Sequence, residues 1–595
     1  MSAYVAPVKD MLFTMNELAD FGEVVKLPGC EELSPDLAET ILDEAGKFAG
    51  EVLAPLNTAG DRQGAKLKDG AVTTSPGFKQ AYRQFVDNGW ATLPASPDFG
   101  GQGMPYGLAV AVNEMWKSAN LAFSLCPMLT QGAIEALLHH GSDELKTRYL
   151  PKMVSGEWTG TMNLTEPQAG SDLAAVRTRA VPEGDHYRIS GTKIFITWGE
   201  HDYTDNIVHT VLARLPDAPE GVKGISLFVV PKYLVNADGS LGARNDLQCV
   251  SLEHKLGIHG SPTAVMAYGE KGGAIGYLVG EPNRGLEYMF TMMNHARLAV
   301  GLEGVAIAER AYQKALAYAR ERVQGRPLGS KDAGAAIIEH PDVRRMLMTM
   351  KAQTEAMRAL AYLAASCMDR AGRHPDAGQR KHFQALVDLL TPVSKGWQTE
   401  IGIEVATNGI QVHGGMGFIE ETGAAQYLRD ARITTIYEGT TGIQALDLVG
   451  RKVARDGGAA MKQLLASMQA TLAEATAAGG EDLAAIAAAF KDALARAESA
   501  SAYVAETFAG DPRAVAAGST PYLMLIGTLC GGWQMARAAL VAHKRLKADA
   551  KDEFAGVKLA TARFYADHLL PRCHGYWHEI MHGAQSTLRL PASQF

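Results

Sequence analysis

One acidic side chain in this sequence stands where a general base could work. Glu438 lies in the segment I-Y-E-G-T at residues 436–440, directly before Gly439 and between two helical stretches. A carboxylate in such an apolar, glycine-flanked loop can be desolvated, and its pKa then rises towards the range useful for proton abstraction. The alternative interpretation is an acidic residue at the start of a helix, where the helix dipole favours it. This segment alone does not decide between the two.

Two further segments could bind a ligand through their backbone. Residues 163–172 read N-L-T-E-P-Q-A-G-S-D, and the N–H groups and hydroxyls of such a loop could hydrogen-bond a flat polar ring or a phosphate. Residues 411–417 read Q-V-H-G-G-M-G, where the glycines permit close approach of a ligand. Each segment has a plainer interpretation: the first is a tight turn with a Ser or Asp helix cap, and the second is a helix terminator.

Several common cofactor and catalytic motifs are absent from the sequence. We find no G-x-G-x-x-G dinucleotide loop, no nucleotide-hydrolase loop with Lys after its second glycine, and neither H-E-x-x-H nor G-x-S-x-G. The six cysteines lack the spacing of a zinc site or a disulfide framework, so we expect buried apolar cysteines and no metal site. Any cofactor must therefore be held in another way.

Length and charge limit the possible classes of protein. The 595 residues amount to about four domains of ~150 residues, with 47% hydrophobic and 21% charged residues, as in globular proteins. The net charge of −8 has the wrong sign for a nucleic-acid partner. No uninterrupted apolar run approaches the ~20 residues of a membrane span, and the first residues do not resemble a secretory signal. We therefore expect a cytoplasmic protein with no membrane span.

The elements that would position these segments change along the chain. Apolar residues three or four apart predict helices from residue 34 to about 153. Runs of β-branched and aromatic residues then predict strands at 187–197, 207–215, 225–235 and 264–279. Helical patterns return after residue 283, with long segments at 286–323, 341–371, 378–408 and 439–455.

This order predicts a mainly α protein with a central β domain. The predicted divisions are an N-terminal segment (1–34), an N-terminal helical domain (35–158), a middle β domain (159–282), a helical bundle with the candidate base (283–457) and a C-terminal helical extension (458–595).

Five motifs in this order resemble those of the acyl-CoA dehydrogenase family. They are T-E-P-x-A-G-S-D at 165–172, G-T-K-x-x-I-T at 191–197, Y-A-x-E-R at 318–322, G-G-x-G at 414–417 and I-Y-E-G-T at 436–440. The resemblance covers roughly residues 35–455. It implies the acyl-CoA dehydrogenase-like fold, in which FAD lies between the β domain and the second helical domain without a Rossmann fold.

The resemblance also implies which residues contact the cofactor. The implied FAD contacts are Leu164, Thr165, Gly170, Ser171, Phe195, Ile196, Thr197, Arg322, Gln324, Gln411, Gly414, Gly415 and Thr440. Of these, Arg322, Gln324 and the 411–415 residues match positions that hold the pyrophosphate and adenosine of a neighbouring subunit's FAD. The site would then be completed by oligomerisation.

The implied chemistry is α,β-dehydrogenation of an acyl-CoA. Glu438 matches the family's base, which removes the α-proton while a β-hydride leaves to flavin N5. Ser171, Arg297 and Gly439 match positions near the substrate, although Arg297 has the alternative of a helix-surface ion pair. The resemblance further implies an electron-transfer flavoprotein as electron acceptor.

Parts of the sequence depart from the shorter family members. Gly325 directly follows Gln324 where many members carry an aromatic residue, and the stretch 326–336 is longer than usual, which leaves the adenosine contacts in doubt. The extension after residue 460 resembles that of longer members, so we predict a homodimer. In its length, its M-x-A-Y-x-A-P-like start and this extension, the chain resembles bacterial members that act on general fatty acyl-CoA or on 3-methylmercaptopropionyl-CoA, a thioether substrate of dimethylsulfoniopropionate degradation.

Three other functions remain open at this stage. An acyl-CoA oxidase would share the base but let oxygen reach the reduced flavin. A flavin-bearing DNA-associated relative would need a basic C-terminal extension, whereas residues 451–595 have nearly balanced charge. A helical interaction protein without activity would give Glu438 and the 163–172 loop no reason to occur together.

Overall fold

The chain divides into two compact units, each built from discontinuous stretches of sequence. A computed structural model describes residues 4–331 and 334–595, so the first three residues of the predicted N-terminal segment and two residues of the 326–336 stretch lie outside it. Unit 1 contains Met1–Gly46, Pro105–Glu114 and Arg297–Phe595, and unit 2 contains Lys47–Met104 and Met115–Ala296. Three of the four divisions fall within the helices Pro35–Phe48, Tyr106–Ala119 and Gly285–Glu321, and the fourth lies just before Tyr106. The domain boundaries given above stay predictions.

Unit 2 is organised around an eight-stranded sheet. Its strands and those of two small hairpins are β1 (Lys66–Lys68), β2 (Ala71–Thr73), β3 (Thr159–Asn163), β4 (Arg179–Glu183), β5 (His186–Thr197), β6 (Ile207–Arg214), β7 (Ile225–Pro231), β8 (Tyr233–Val235), β9 (Leu241–Arg244), β10 (Leu247–Leu252), β11 (Thr263–Tyr268) and β12 (Ala274–Val279). The order in the sheet is β10-β11-β5-β12-β7-β6-β3, and β4 pairs with β5 and β6. β3 runs parallel to β6, while β5 is antiparallel to both β11 and β12.

The predicted strand regions are confirmed, with two differences. The run at 225–235 forms two strands, β7 and β8, which belong to separate sheets. The run at 264–279 forms two strands, β11 and β12, because Gly269, Gly272 and Gly273 adopt positive φ angles and turn the chain between them. β6 and β7 are almost entirely buried, which explains why their sequences read as continuous apolar runs. The helices that lie wholly in unit 2 are Ala54–Gln63, Phe78–Asp87, Leu121–His140 and Asp143–Val154.

One helix of unit 2 is long and apolar enough to cross a membrane. Leu121–His140 has a mean hydropathy of 1.4 over its most apolar window, and 78% of that window is buried in the protein. Buried core helices pass the same test, and this helix supplies Leu129, Ala133 and Leu137 to an apolar core with Trp158. The predicted lack of a membrane span stays a prediction.

Unit 1 is helical. Apart from the three helices shared with unit 2, its longer helices are Pro341–Arg373, Ala377–His413, Ala459–Ala478, Glu481–Thr507, Ser519–Ala548, Glu553–His568 and Arg572–His582; its shorter ones are Val8–Phe13, Phe21–Val24, Ala424–Ala431, Thr441–Asp447, Pro512–Ala517 and Ala584–Thr587. The long helical segments predicted after residue 283 are confirmed. The last predicted segment, 439–455, begins as the helix Thr441–Asp447 and continues as a π-helix over Leu448–Val453.

The C-terminal extension packs against the helix Ala377–His413 at very short range. A Cβ atom on Gly527 of the helix Ser519–Ala548 would lie 2.1 Å from Trp397, and a Cβ on Gly396 would lie 2.7 Å from Leu523. Real side chains do not approach so closely, so glycine is required for the two helices to meet. The same extension helix packs against Thr441–Asp447. The extension is thus part of the apolar core of unit 1.

A buried cluster of charges joins distant parts of unit 1. The Arg358 guanidinium is 1% exposed and donates to carboxylates of Asp10, Glu114 and Glu309, each at 2.6 Å from a guanidinium nitrogen. Lys558 of the extension also bonds Asp10. Burial of charges is costly unless every one has a partner, so these groups stabilise the fold only as a complete set.

We expect Arg358→Met to destabilise the protein by about 3–5 kcal/mol, because it leaves the fully buried Glu114 carboxylate without its cation. Thermal or denaturant unfolding of the purified protein measures this change. The matched control is Arg344→Met, since Arg344 pairs with Glu339 on the surface and its loss should change stability by less than about 0.5 kcal/mol. Equal effects of the two substitutions would contradict the role given to the cluster.

Candidate active site

Glu438 lies in a strained turn of unit 1. Its φ angle is +54° and that of Gly439 is +91°, so two successive residues adopt the left-handed conformation. A non-glycine residue in this region costs free energy and persists only where the surroundings enforce it. Such outliers cluster at functional sites, and this one places the half-buried Glu438 directly before the helix Thr441–Asp447.

Three side chains hold the backbone of this turn. The Lys395 Nζ donates to the Gly439 carbonyl at 2.6 Å, and Arg297 Nε donates to the Glu438 carbonyl at 3.4 Å. Gln444 Nε2 donates to both carbonyls, at 3.2 and 3.3 Å. The two cations come from the helices Ala377–His413 and Gly285–Glu321, which therefore enforce the left-handed conformation.

The electrostatic setting of Glu438 suits a base. Burial raises the pKa of Glu438, the Arg297 and Lys395 cations oppose this rise, and the Glu303 carboxylate adds to it. A raised pKa makes the carboxylate a stronger base, while the two cations favour its ionised form. Glu303 in turn accepts a hydrogen bond from the hydroxyl of Tyr437, the residue before Glu438.

The residues after the turn begin the next helix. Thr440 is the N-cap of Thr441–Asp447, and its hydroxyl accepts a hydrogen bond from the Ile443 N–H at 3.3 Å. Thr441 donates to the Glu400 carboxylate at 2.6 Å. Gly439, a predicted substrate contact, and Thr440, a predicted cofactor contact, therefore follow Glu438 directly in a hydrogen-bonded segment.

A second group of predicted residues gathers at another place in unit 1. Arg322 and Gln324 follow the helix Gly285–Glu321, and Gln411, Gly414 and Gly415 lie at the end of Ala377–His413. The two helix ends are joined by stacking of Tyr318 on His413, with ring centroids 4.5 Å apart. These five residues are exposed. Since Gln411 is sixteen positions beyond Lys395, about 24 Å along one helix, the group is not next to Glu438.

In unit 2, the loop that follows β3 is anchored by a buried ion pair. Lys193, which is 0% exposed, donates to the Glu166 carboxylate at 2.8 Å and to the Leu164 carbonyl at 2.9 Å. Glu166 also accepts hydrogen bonds from the N–H groups of Arg177 and Thr178. The charged residues of the T-E-P and G-T-K motifs thus bind each other, which leaves the half-exposed Thr165 and the exposed Ser171 at the surface of the loop.

Next to this loop, β5 contains a bulge that turns an aromatic ring outward. The register with β11 shifts between Lys193 and Ile196, and Phe195 inside the bulge has a φ of +60° and is 58% exposed. Ile196 is buried in the core of the sheet, so only its backbone is available to a ligand, and Thr197 is half-buried. Leu164 is packed against a neighbouring core, and Gly170 is exposed.

Comparison with known proteins identifies the family. Four models of acyl-CoA dehydrogenase domains match the chain in order: the N-terminal domain at 35–157, the middle domain at 161–268, the C-terminal domain at 283–454 and the acetyl-CoA dehydrogenase C-terminal-like region at 464–591. The chain is also 51% identical to the 3-methylmercaptopropionyl-CoA dehydrogenase of Ruegeria pomeroyi, over 98% of this chain and 99% of that protein. The chain belongs to the acyl-CoA dehydrogenase family.

Two other relatives extend this acyl-CoA dehydrogenase match over nearly the whole length. A broad-specificity linear acyl-CoA dehydrogenase of Mycobacterium tuberculosis, FadE5, is 35% identical over 96% of each chain. The solved structure of an acyl-CoA dehydrogenase from Bacillus anthracis complexed with FAD superimposes with a TM-score of 0.73, covering 94% of this chain and 90% of that one, at 21% identity. At that identity the structural likeness shows the fold alone.

FAD is the cofactor of this acyl-CoA dehydrogenase, and the residues present fit it. In unit 2 the Phe195 ring and Ser171 are exposed and Thr165 is half-exposed, and the Ile194 N–H bonds the Thr165 carbonyl at 3.0 Å, so the β5 bulge adjoins the loop after β3. An aromatic ring together with hydroxyls suits a flat polar ring. In unit 1 the exposed Arg322 guanidinium and the Gln324 and Gln411 amides offer donors for a pyrophosphate. Within residues 4–331 and 334–595 no group of three His, Cys, Asp or Glu side chains is placed to hold a metal ion.

Four residues that build these sites were not predicted from the sequence. Glu166 and Lys193 lie inside the quoted motifs, and a charge among small or apolar neighbours was the available signal. Lys395 is likewise a lone charge in the stretch P-V-S-K-G-W, and Gln444 lies one helical turn after Thr440. Their pairing required the fold, because Lys395 is more than forty residues from Glu438 in sequence.

We expect Lys193→Met to loosen the loop after β3 and so to weaken FAD retention. The Glu166 carboxylate would stay buried without its cation, whereas in the native protein the lysine and the hydrogen bonds overcome burial and lower the pKa of Glu166 to about 2. The ratio of flavin absorbance to protein after gel filtration measures the loss.

The control for this prediction is Lys66→Met, which removes an exposed lysine from the same unit. Because the folded-state pKa of Glu166 is depressed, its contribution to stability is present above about pH 4.5 and disappears as the pH falls towards 2. Unchanged flavin content in Lys193→Met would show that the ion pair does not support the loop.

Proposed function

We propose that Glu438 is the general base that removes the α-proton of an acyl-CoA thioester during α,β-dehydrogenation to the 2-enoyl-CoA. The observation that carries this proposal is the half-buried carboxylate in a left-handed turn, with its pKa raised by burial and its backbone held by two cations. A base must be both ionised and strong, and this balance of burial and cations supplies both properties. The bound FAD supplies the two-electron acceptor for the β-hydride.

The residues around the base have supporting roles in this proposal. The Glu438 N–H donates to the thioester oxygen and so stabilises the negative charge that develops as the α-proton leaves. Ser171 and Gly439 contact the substrate near its thioester end. Arg297 acts near the substrate through the Glu438 backbone, since its side chain is 7% exposed and bonds that carbonyl.

The proposed cofactor contacts are those named from the sequence. In unit 2, the loop after β3 and the β5 bulge hold the flavin ring through Leu164, Thr165, Gly170, Ser171, Phe195, Ile196 and Thr197, with Ile196 using its backbone. In unit 1, Arg322, Gln324, Gln411, Gly414 and Gly415 bind the pyrophosphate and adenosine of a neighbouring subunit's FAD, and Thr440 contacts FAD beside the base.

We propose 3-methylmercaptopropionyl-CoA as the preferred substrate. The support is the 51% identity with the Ruegeria pomeroyi dehydrogenase along almost the full length of both chains. The alternative is a general straight-chain acyl-CoA, as the likeness to FadE5 suggests. Discrimination between these chains depends on pocket depth and contacts, which are worth only about 1–3 kcal/mol per methylene.

The proposed partners are a second copy of the chain and an electron-transfer flavoprotein. Large apolar side chains are exposed close to the Arg322 and Gln411 group, including Leu328 at 95% and Phe418 at 86%. Exposed apolar groups beside polar ligand contacts favour a homodimer that covers them, which mass measurement of the holoenzyme tests. The flavoprotein acceptor and the cytoplasmic location follow from the family and the sequence, and they stay predictions.

We expect Glu438→Gln to abolish dehydrogenation while leaving FAD bound. An amide of the same shape cannot accept the α-proton, so the rate of flavin bleaching by acyl-CoA should fall by at least about 10²- to 10⁴-fold. Anaerobic rapid mixing measures this rate, and flavin absorbance verifies cofactor content. Glu506→Gln, at an exposed position of the extension, is the matched control. A wild-type rate in Glu438→Gln would show that the base is another residue.

Turnover of a substrate panel tests the acyl-chain preference and the reaction class together. With an artificial electron acceptor, we expect the highest kcat/KM for 3-methylmercaptopropionyl-CoA, followed by straight chains of similar length, with a decline towards sixteen carbons. A maximum at long straight chains would favour the general fatty acyl-CoA alternative. Parallel assay of peroxide in air separates a dehydrogenase from an oxidase, because only an oxidase passes its electrons to oxygen rapidly.

A further inference from the structure

Lys395 is a fully buried lysine whose ammonium group donates a hydrogen bond to the turn that contains Glu438. Its residue exposure is 0%, and its Nζ donates to the Gly439 carbonyl at 2.6 Å. A buried ammonium group costs free energy unless nearby negative charge or hydrogen bonds compensate for it. Burial of the Lys395 ammonium group therefore costs folding free energy. Packing does not explain this cost, because an apolar side chain would fill the same space.

The charges that face Lys395 come from three elements. Glu438 lies in the turn, Glu303 and Arg297 lie on the helix Gly285–Glu321, and Glu400 lies on the same helix as Lys395. Glu303 is engaged with the Tyr437 hydroxyl and Glu400 with the Thr441 hydroxyl, so both carboxylates have other partners. This arrangement leaves the Lys395 ammonium as a cation directed at the Glu438–Gly439 backbone.

We propose that Lys395 is a positioning residue for the base: its ammonium group holds the left-handed Glu438–Gly439 turn through the Gly439 carbonyl, and its charge keeps the Glu438 carboxylate ionised. This inference rests on the proposed function of Glu438. Lys395 acts through the turn and takes no part in the transfer of the proton itself.

Both parts of the role follow from the geometry. Two successive positive φ angles are unfavourable for Glu438, and the 2.6 Å bond at the following carbonyl fixes the second peptide of the pair. The charge acts in a buried setting, where a cation affects a neighbouring carboxylate more strongly than in water. Burial lowers the pKa of Lys395 to about 8, which lies above neutral pH, so most of the lysine remains protonated under ordinary conditions.

The structure offers a matched control for loss of a buried lysine. Lys558 is 4% exposed and pairs with Asp10 and Glu355, far along the sequence from the turn and on the helix Glu553–His568 of the extension. Lys558→Met should lower the melting temperature through the loss of these ion pairs, yet it should leave the pH dependence of proton abstraction unchanged. Lys395→Met should alter that pH dependence.

The test measures the rate of anaerobic flavin bleaching by a saturating acyl-CoA as a function of pH, with flavin-loaded wild type, Lys395→Met, Lys395→Arg and Lys558→Met. Removing the cation raises the pKa of Glu438, so Lys395→Met should be slower by about 10-fold or more near about pH 6, and the deficit should shrink as the pH rises. Lys395→Arg keeps the charge and a donor, and should restore the acidic limb of the profile.

Two outcomes would overturn the inference. One is a Lys395→Met profile that coincides with wild type, and the other is a uniform slowing at every pH with the acidic limb unmoved, which would indicate packing alone. Failure of the proposed function is a separate result, because it requires Glu438→Gln to bleach at the wild-type rate. If Glu438→Gln is inactive while Lys395→Met titrates like wild type, only the role of Lys395 is wrong.

Discussion

The chemistry proposed for unit 1 depends on keeping one carboxylate in a backbone conformation that an L-amino acid avoids. Glu438 and Gly439 both have positive φ, and such a pair relaxes unless other groups hold it. Here Arg297, Lys395 and Gln444 bond the two carbonyls. Arg297 and Lys395 come from two helices of 37 residues each, whereas Gln444 comes from the short helix that follows the turn. The packed helices of the bundle therefore hold the turn in place. Strain at Glu438 is therefore balanced by the interior of the bundle.

In unit 2, a buried ion pair holds an irregular loop in place. The loop after β3 must present hydroxyls and N–H groups, which requires an irregular backbone beside an apolar core. The buried pair of Glu166 and Lys193 satisfies the inner side of the loop, because one carboxylate accepts N–H groups from Arg177 and Thr178 while the lysine bonds the Leu164 carbonyl. In both units, a buried lysine bonds a backbone carbonyl next to the residues that would touch a ligand. The hydrogen bonds that hold each loop thus lie on its inner side, and the side that would face a ligand does not take part in them.

The fold was largely predictable from the sequence, and the site only in part. β-branched runs such as 207–215 and helical periodicities such as 341–371 depend on local pattern, and both appear at nearly those bounds. The run at 264–279 was predicted as one strand, but its glycines divide it into β11 and β12. The local sequence pattern could have indicated this division. Glu438 was predictable because its motif is local. Lys395 was not, because its partner is defined by the packing of helices, and a lone buried charge in a sequence resembles many surface lysines.

The close packing of the C-terminal extension means that the extension is not an independent module. Gly527 allows its helix to contact Trp397 closely. Gly396, two positions before Gln398, leaves space for the Leu523 side chain. An independent module would pack on a surface whose side chains are all present. Here each helix has a glycine where a side chain of the other helix packs. Trimming the chain near residue 458 would uncover Trp397, two positions from the lysine that bonds the Glu438–Gly439 turn. Truncation would therefore leave an unfilled apolar surface on the helix Ala377–His413.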